Sequence, residues 1–156
     1  MNNHNKLLAK LNELEGYFEY NNHISESISK ATVGWQSYHI LKVINIVCDS
    51  IKISDPKDYK KSFNKYKTLC FTFNYFPRGK GRAPKVTRPP EVFKLDDLIN
   101  QLKLVNQNIQ DFISLDYRVN FKHPIFGQLN KKETLKFFVI HTEHHLKIIR
   151  DILNVQ

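Results

Sequence analysis

Four long stretches of the chain repeat apolar residues at spacings of three and four, the pattern of one face of an amphipathic helix. The strictest is residues 94–116, where six apolar residues alternate these spacings as in a bundle seam. They are Leu95, Leu98, Leu102, Val105, Ile109 and Phe112. The predicted long helices cover residues 5–20, 35–53, 94–116 and 130–153.

The segments between these helices predict less regular structure. Residues 59–69 carry aromatic and apolar residues at helical spacing, which indicates a short extra helix lying across the bundle. Residues 77–90, PRGKGRAPKVTRPP, contain four prolines and two glycines and predict a loop. Residues 117–129 predict an irregular crossing, in which Phe126 closes the end of the core and His123 hydrogen-bonds backbone. The sequence therefore predicts an all-α helical bundle.

The last predicted helix carries three histidines, and two of them lie on its apolar face. Asn130 as N-cap and Glu133 three residues later predict a capping box at its start. At 100° per residue, His145 lies about 40° from His141, and both fall in the middle of the apolar stripe. His144 falls at about −60°, at the edge of the stripe. Two imidazoles one turn apart therefore point inward.

The second predicted helix places another histidine inside the bundle. Trp35 and Val43 lie within about 40° of His39 on the helical wheel, so His39 shares their apolar face. An unpaired imidazole buried among apolar side chains costs on the order of 1–3 kcal/mol. A divalent metal can satisfy several imidazoles at once, because residues four apart on a helix reach one ion. His39, His141 and His145 are the predicted metal ligands, and internally hydrogen-bonded core histidines are the alternative.

Three neutral imidazoles leave one or two coordination positions for water or substrate, which is the arrangement of a catalytic site. Zinc and nickel both suit imidazole ligands. Thr142 follows His141 and Glu143 points to the opposite face, so this helix is not the His-Glu-x-x-His helix of metalloproteases. Asp49 and Tyr38 are the candidates for groups that orient the ligands.

Length and cysteine content define the class of protein. A chain of 156 residues predicts a single domain, residues 1–156, which buries about two thirds of its unfolded surface. Cys48 and Cys70 stand apart in apolar surroundings, which predicts reduced thiols in a cytoplasmic protein. The sequence shows neither an apolar signal core nor a membrane-spanning stretch, so we expect no membrane partner.

The charge balance is strongly basic, with 24 Lys and Arg against 15 Asp and Glu and a formal net charge of +9. Much of the excess lies between residues 57 and 88 and not along one helix face, so nucleic-acid binding ranks last among the possible functions. In the proline-rich loop, Arg78, Lys80 and Arg82 can gather at a pocket mouth and bind a carboxylate, a phosphate or a thiol cosubstrate. A solvated linker is the alternative.

Four segments resemble the DinB/YfiT-like superfamily of proposed metalloenzymes, and within it a subgroup of small bacterial domains of unknown function. The likeness covers most of the chain, and its last segment is the most distinctive. The segments are GWQSYHILKVI (residues 34–44), PRGKGRAPK (residues 77–85), HPIFG (residues 123–127) and HTEHHLKII (residues 141–149).

The resemblance implies an up-down-down-up four-helix bundle in which one histidine of the second helix and two of the last bind a divalent metal. By position these are His39, His141 and His145. Many members have the second-helix histidine eight residues after a Trp, whereas here Val43 has that position and His39 lies one turn earlier. Members with assigned activities use low-molecular-weight thiols in transfer or isomerisation.

Two hypotheses of different classes follow. The first is a metal-dependent enzyme of transferase or hydrolase type, which acts on a small molecule and uses a low-molecular-weight thiol. The second is a non-catalytic helical binding module whose histidines are structural and whose basic loop contacts an acidic partner. A homodimer is compatible with both, because helical bundles pair through exposed apolar strips.

Overall fold

The structure, a computed structural model, describes residues 2–79 and 81–154 of the chain. Within them the chain forms five α-helices and one two-stranded sheet, so the predicted all-α class holds broadly and the sheet is an addition to it. None of the described helices combines the length with the apolar character that crossing a lipid bilayer requires. The elements are α1 (Asn3–Glu15), α2 (Val33–Lys52), α3 (Lys65–Phe73), α4 (Leu95–Ser114), β1 (Asn120–His123), β2 (Gly127–Asn130) and α5 (Lys131–Leu153).

Side chains at the N-caps determine where two of the long helices begin. Thr32 Oγ1 accepts a hydrogen bond from the Trp35 amide at the start of α2 (3.1 Å). At the start of α5, Asn130 Oδ1 accepts from the Glu133 amide at 3.0 Å, and Glu133 Oε2 accepts from the Asn130 amide at 3.1 Å. The predicted capping box is therefore confirmed.

The first helix is shorter than its apolar spacing predicted. α1 ends at Glu15, and Gly16 takes the C-cap position. The chain then forms a 3-10 turn, Phe18–Tyr20, in which Phe18 is buried. The apolar spacing thus continues across a change of helix type, which periodicity alone does not reveal.

A β-hairpin stands where the sequence predicted an irregular crossing. β1 and β2 pair antiparallel, with Asn120 opposite Asn130 and His123 opposite Gly127. Gly127 has a φ of 72°, which is the left-handed conformation that closes a three-residue hairpin loop. Phe126, in that loop, is 5% exposed and packs into the end of the core, as predicted.

Helix α2 is the central element of the fold. It packs against both α4 and α5, and α1 packs against α5. A polar contact joins α2 to α4, where Asn108 Nδ2 donates to Asn45 Oδ1 (3.0 Å) and Asn45 Nδ2 donates to Gln101 Oε1 (2.8 Å). Because α2 contacts α5 directly, histidines on the facing sides of these two helices can meet.

The short helix α3 exists, but the residues that carry its helical spacing face outward. Tyr66 is 57% exposed and Leu69 is 58% exposed, whereas Lys67 and Phe71 are buried. The Lys67 ammonium donates to Glu133 Oε1 at 2.8 Å, which ties the buried side of α3 to the start of α5. Lys67 and Phe71, rather than the apolar residues of the predicted spacing, thus face the rest of the molecule.

Candidate metal centre

Three histidines from two helices meet in the core, as the helical spacing predicted. His39 comes from α2, and His141 and His145 lie one turn apart on α5. Each of the three offers a ring nitrogen, and these nitrogens all lie within 4.8 Å of one another. The residues are 5%, 9% and 9% exposed, respectively. The cluster is thus shielded from bulk solvent.

The orientation of the His39 ring is set by the proline-rich loop. Its Nδ1 lies 2.9 Å from the Thr87 carbonyl oxygen. A carbonyl oxygen only accepts, so Nδ1 carries the proton and donates it, and Nε2 keeps its lone pair. Trp35, one turn earlier on α2, stacks on the imidazole with 5.1 Å between ring centroids. Nε2 of His39 therefore faces His141, at 3.3 Å from His141 Nε2.

The His145 ring is held in the same tautomer by a side chain of α2. Its Nδ1 donates to Gln36 Oε1 at 2.6 Å. The Gln36 amide nitrogen donates in turn to Ser29 Oγ at 3.3 Å, which fixes which end of the amide faces the imidazole. As in His39, the lone pair of His145 is left on Nε2.

His141 lacks an orienting partner of this kind. Its Nδ1 is buried and has no hydrogen-bond partner within the described part of the chain. The Phe137 ring lies against it, with 5.4 Å between centroids. On the Nδ1 side, packing rather than hydrogen bonding therefore holds the His141 ring.

Burial lowers the pKa of all three imidazoles. For His39 the main cause is desolvation, which the hydrogen bond to Thr87 partly opposes. For His141 and His145 the pKa lies well below its usual value, because of desolvation first and of repulsion between the neighbouring histidines second. The neutral form that results is the form that coordinates metal ions.

The donor set fits a divalent metal. Two ligands of a tetrahedral ion at 2.0–2.1 Å lie about 3.4 Å apart, and the Nε2 atoms of His39 and His141 are separated by 3.3 Å. The outer hydrogen bonds of His39 and His145 are those that metal-ligating histidines usually make to a carbonyl or amide oxygen. Three buried neutral imidazoles, two of them with Nε2 freed for coordination, can therefore hold one ion.

The two other histidines nearby make backbone contacts. His144 Nδ1 lies 3.0 Å from the Phe76 carbonyl oxygen, so His144 faces the start of the proline-rich loop. His123 Nδ1 accepts from the amides of Ile125 (3.1 Å) and Phe126 (3.2 Å), as the sequence predicted. Neither belongs to the cluster that the three ring nitrogens form.

The proline-rich loop is attached to the histidines at both of its ends. Phe76 precedes it and binds His144 through its carbonyl, and Thr87 near its end binds His39. Lys42 Nζ donates to the Arg88 carbonyl at 2.6 Å and adds a third attachment. This segment is thus positioned by side chains of α2 and α5 and is not a free linker.

The three basic residues predicted to bind substrate lie in different situations. Arg78 pairs with Asp151 at 2.7 Å and lines a cavity of about 20 Å³ together with His144. Arg82 is exposed, and Lys80 lies outside the described residues. The structure therefore brings Arg78 beside His144, whereas Arg82 does not line that cavity.

The larger cavity lies away from the histidines. It opens between α1 and α5 with a volume of about 460 Å³, and its lining includes Lys10 and Glu143 but none of the three clustered histidines. Lys10 pairs with Glu143, and Arg150 bridges Glu143 (3.0 Å) and Glu13 (2.7 Å). Glu143 is thus engaged on the face opposite the metal centre, as predicted.

The groups that orient the ligands are not the predicted ones. Asp49 is exposed to solvent, and Tyr38 packs against Phe93 with 5.0 Å between ring centroids. Gln36 and the Thr87 carbonyl have that role instead. Gln36 had a usable signal, since it is a polar residue about 60° from His39 on the buried face. A backbone carbonyl from a distant loop gives no such signal.

Comparison with known proteins yields no matching family model, no matching curated protein and no matching solved structure. The resemblance to the DinB/YfiT-like superfamily rests on the four sequence segments and stays a prediction.

Proposed function

We propose that this chain is a DinB-like metal-binding protein whose ion is held by His39, His141 and His145. The observation that carries the proposal is the meeting of three buried ring nitrogens within 4.8 Å. An imidazole cluster of this kind, without a bound cation, places three weakly solvated polar rings in an apolar core. One shared ion satisfies all three lone pairs at once.

The proposal includes the family's bundle architecture. The four long helices α1, α2, α4 and α5 form an up-down-down-up bundle, with α3 and the hairpin added at one side. The pairwise packing of α2 with α4 and α5, and of α1 with α5, supports this arrangement. A bundle core is also a usual place for metal sites built from facing helices.

Zinc or nickel is the proposed ion. Both accept imidazole nitrogen, and the cluster offers no thiolate or carboxylate among its three described members. Three protein ligands leave at least one coordination position open, which is typical of catalytic zinc sites. Bound there, the ion supplies Lewis acidity that makes a thiol or a water molecule more acidic.

The protein's own residues have three tasks in this proposal. Gln36 and Thr87 hold Nδ1 protons and so direct Nε2 of His145 and His39 into the cluster. The surrounding core excludes water from the rings. The loop that Thr87 belongs to covers the side of α2 on which His39 lies, so its position controls access.

A small anionic molecule is the proposed substrate, and a low-molecular-weight thiol is the proposed cosubstrate. The proline-rich loop supplies Arg78, Lys80 and Arg82 for a carboxylate or phosphate, and guanidinium groups bind such groups through paired hydrogen bonds. Arg78 must leave Asp151 to do so, and both side chains are more than 40% exposed, so the exchange is inexpensive. The reaction class is transfer or hydrolysis.

A non-catalytic binding module is the second candidate, and one distance favours it. His141 Nε2 can donate to His39 Nε2 across 3.3 Å, which pairs these two rings without any ion. In that case the histidines complete the core, and the basic loop contacts an acidic partner.

Metal analysis separates the two candidates. Protein purified without an affinity tag is exchanged into metal-free buffer, loaded with zinc or nickel, and measured for bound metal by mass spectrometry. We expect one ion per chain in the wild type, none in His141→Ala, and one in the control His23→Ala, which changes an exposed loop histidine. A wild type without stoichiometric metal would leave the binding module as the better account.

The proposed compartment is the cytoplasm. Cys48 and Cys70 are both free, and Cys48 is buried. Burial raises the pKa of the Cys48 thiol to about 12, which keeps it protonated and unreactive. Unpaired cysteines of this kind fit a reducing environment.

A further inference from the structure

The whole net charge of the chain lies in one continuous segment. Residues 59–90 contain nine of the 24 Lys and Arg residues and none of the 15 Asp and Glu residues. The rest of the chain therefore has 15 basic and 15 acidic residues and is balanced. Lys67 and Arg78 are paired with Glu133 and Asp151 of α5, so an anionic partner is attracted by the other basic residues of this segment.

The same segment exposes a stripe of large apolar side chains on α3. Tyr66, Leu69 and Phe73 lie within about 60° of one another on the helical wheel. They are 57%, 58% and 70% exposed, and Phe63, just before the helix, is 86% exposed. A contiguous apolar surface of this kind marks an interaction site more often than chance exposure does.

Contacts on the other side of α3 hold the stripe outward. Lys67 is buried against Glu133, and the Phe71 ring packs edge-on against Phe126 with 5.6 Å between centroids. Asn64 caps the helix and donates from its amide to the Ile125 carbonyl at 2.9 Å. α3 therefore cannot roll its apolar stripe into the core without breaking these contacts.

Exposed lysines border the stripe at the start of α3. Lys60, Lys61 and Lys65 all face solvent, and the Lys65 ammonium lies 5.3 Å from the centre of the Tyr66 ring. The surface thus combines projecting apolar groups with positive charge at their base.

We propose that this outer face of α3, formed by Phe63, Tyr66, Leu69 and Phe73 with Lys60, Lys61 and Lys65, docks on the surface of an anionic lipid bilayer. Such a bilayer complements the surface in two ways, because its negative headgroups attract the lysines and its apolar layer takes up the stripe. Aromatic side chains are enriched at the boundary between the headgroups and the apolar layer.

Charge and shape favour the bilayer over other occupants. A second copy that docks through the same segment brings no acidic residue there, so it supplies apolar contact and no countercharge. Single-stranded nucleic acid is bound in positively charged grooves with stacking platforms. The stripe instead lies on the outside of a helix and includes Leu69, which has no π-face. The docking is peripheral, so the sequence-based expectation of no membrane partner, which considered spanning segments, does not address it.

The test is co-sedimentation of the full chain with vesicles. One set contains phosphatidylcholine alone, and the other contains phosphatidylcholine with phosphatidylserine. We expect binding only to the second set, with binding weakened as salt is raised, because exposed charges are screened. Equal binding to both sets, or none to either, overturns the proposal.

Two variants and two controls locate the surface. Phe73→Ser removes a projecting ring that would be buried in the bilayer. It should lower the affinity for anionic vesicles roughly tenfold, because the burial of an aromatic ring no longer contributes. Lys61→Glu reverses one charge and should lower the affinity for anionic vesicles by more than Phe73→Ser does when the salt concentration is low. The controls are Ile53→Ser, which removes an exposed apolar side chain, and Lys103→Glu, which reverses the charge of an exposed lysine. Both residues lie outside residues 59–90, so both variants should bind the vesicles as the wild type does. Circular dichroism checks that all four are folded.

Two further measurements test the rival occupants. The first measures binding of a labelled single-stranded oligonucleotide. If the protein binds it more tightly than the vesicles, and Phe73→Ser weakens that binding, the face belongs to nucleic acid. Concentration-dependent dimerisation lost in Leu69→Ser, together with no vesicle binding, would assign it to a second copy. Either result overturns the lipid proposal and leaves the metal proposal untouched, because α3 contributes no ligand to the histidine cluster.

Discussion

At the scale of single residues, the chemistry of the metal centre depends on which ring nitrogen carries a proton. The Thr87 carbonyl and the Gln36 amide oxygen each bind an Nδ1–H, so two rings present Nε2 to the cluster. A metal ligand that loses such a partner can rotate or change tautomer. Affinity for the ion should therefore respond to residues that never touch it.

Gln36 gives the sharpest prediction of this kind. Gln36→Leu removes the acceptor for His145 Nδ1–H and should weaken metal binding by about 10- to 100-fold, which is the usual effect of losing such a partner. Gln36→Glu keeps an acceptor and should bind at least as tightly as the wild type. Affinity is measured by competition with a chromogenic chelator. Equal affinities in all three proteins would show that the hydrogen bond has no orienting role.

The pH dependence of stability follows from the buried histidines. Burial lowers the pKa of His123 to about 4, and desolvation lowers those of His39, His141 and His145 in the same direction. Below the unfolded value of about 6.5 the unfolded chain binds more protons than the folded one, so stability falls as pH falls.

The metal-free protein should therefore have a constant unfolding free energy above about pH 7 and lose up to about 1.4 kcal/mol per pH unit for each such histidine below it. Urea unfolding from pH 8 to pH 5 measures this. His123→Asn keeps a side-chain acceptor but does not titrate, and should reduce the slope. A stability that rises on acidification would contradict the burial of neutral imidazoles.

Part of the metal centre was predictable from the sequence, and the reason is helical geometry. His39, His141 and His145 each lie on the apolar stripe of a long helix, so periodicity gives their direction and the shared core gives their meeting. Thr87 was not predictable, because it lies 48 residues after His39 in an irregular loop and acts through its backbone. The histidine cluster could thus be predicted from the sequence, whereas the hydrogen-bond partners of its rings could not.

At the scale of elements, a partly buried ion pair is one of the contacts that orient α3, beside the packing of Phe71 on Phe126 and the Asn64–Ile125 hydrogen bond. Lys67→Ala leaves Glu133, the capping residue of α5, without this partner and should destabilise the protein by about 1.5 kcal/mol, because the Glu133 carboxylate is partly exposed and can be solvated. The control Lys65→Ala removes an exposed lysine two residues earlier on the same helix and should cost under about 0.5 kcal/mol. Urea unfolding at pH 7.5 compares them. Equal small effects would mean that apolar contacts alone orient α3.

The proline-rich loop offers a matched pair of glycines. Gly79 has a φ of 72° with open space around the position of a Cβ atom, and Gly81 has open space without a positive φ. Gly79→Ala should therefore cost about 1 kcal/mol through backbone strain, and Gly81→Ala should be neutral or slightly stabilising. Thermal unfolding of both variants measures this. A neutral Gly79→Ala would show that the loop does not need its left-handed turn.

The elements differ in how far their sequences determine them. The long helices are predictable because each has an apolar stripe and three have side-chain caps at their starts. The hairpin has strands of four residues, too short for an alternating pattern to stand out. The short extra helix was predicted, but its buried side was not predictable, because its apolar stripe faces solvent and a lysine is buried. Tertiary contacts overrule local pattern most easily in such short elements.

At the scale of the whole molecule, the two proposed functions occupy separate regions. The histidine cluster lies between α2 and α5 in the core, and the basic apolar face lies on the outside of α3. The proline-rich loop connects them, since it follows α3 directly and ends on His39 through Thr87. Docking of α3 on a surface would thus leave the metal centre intact and place its loop beside that surface.

The most direct test of the central claim is X-ray absorption spectroscopy at the metal edge of the zinc- or nickel-loaded protein. The account predicts three imidazole nitrogen ligands, at about 2.0–2.1 Å for zinc, with one or two further oxygen or nitrogen ligands completing the coordination shell. In His39→Ala the imidazole contribution should fall to two rings or the ion should be lost. A spectrum with sulfur ligands, or with a single imidazole, would contradict a site built from His39, His141 and His145.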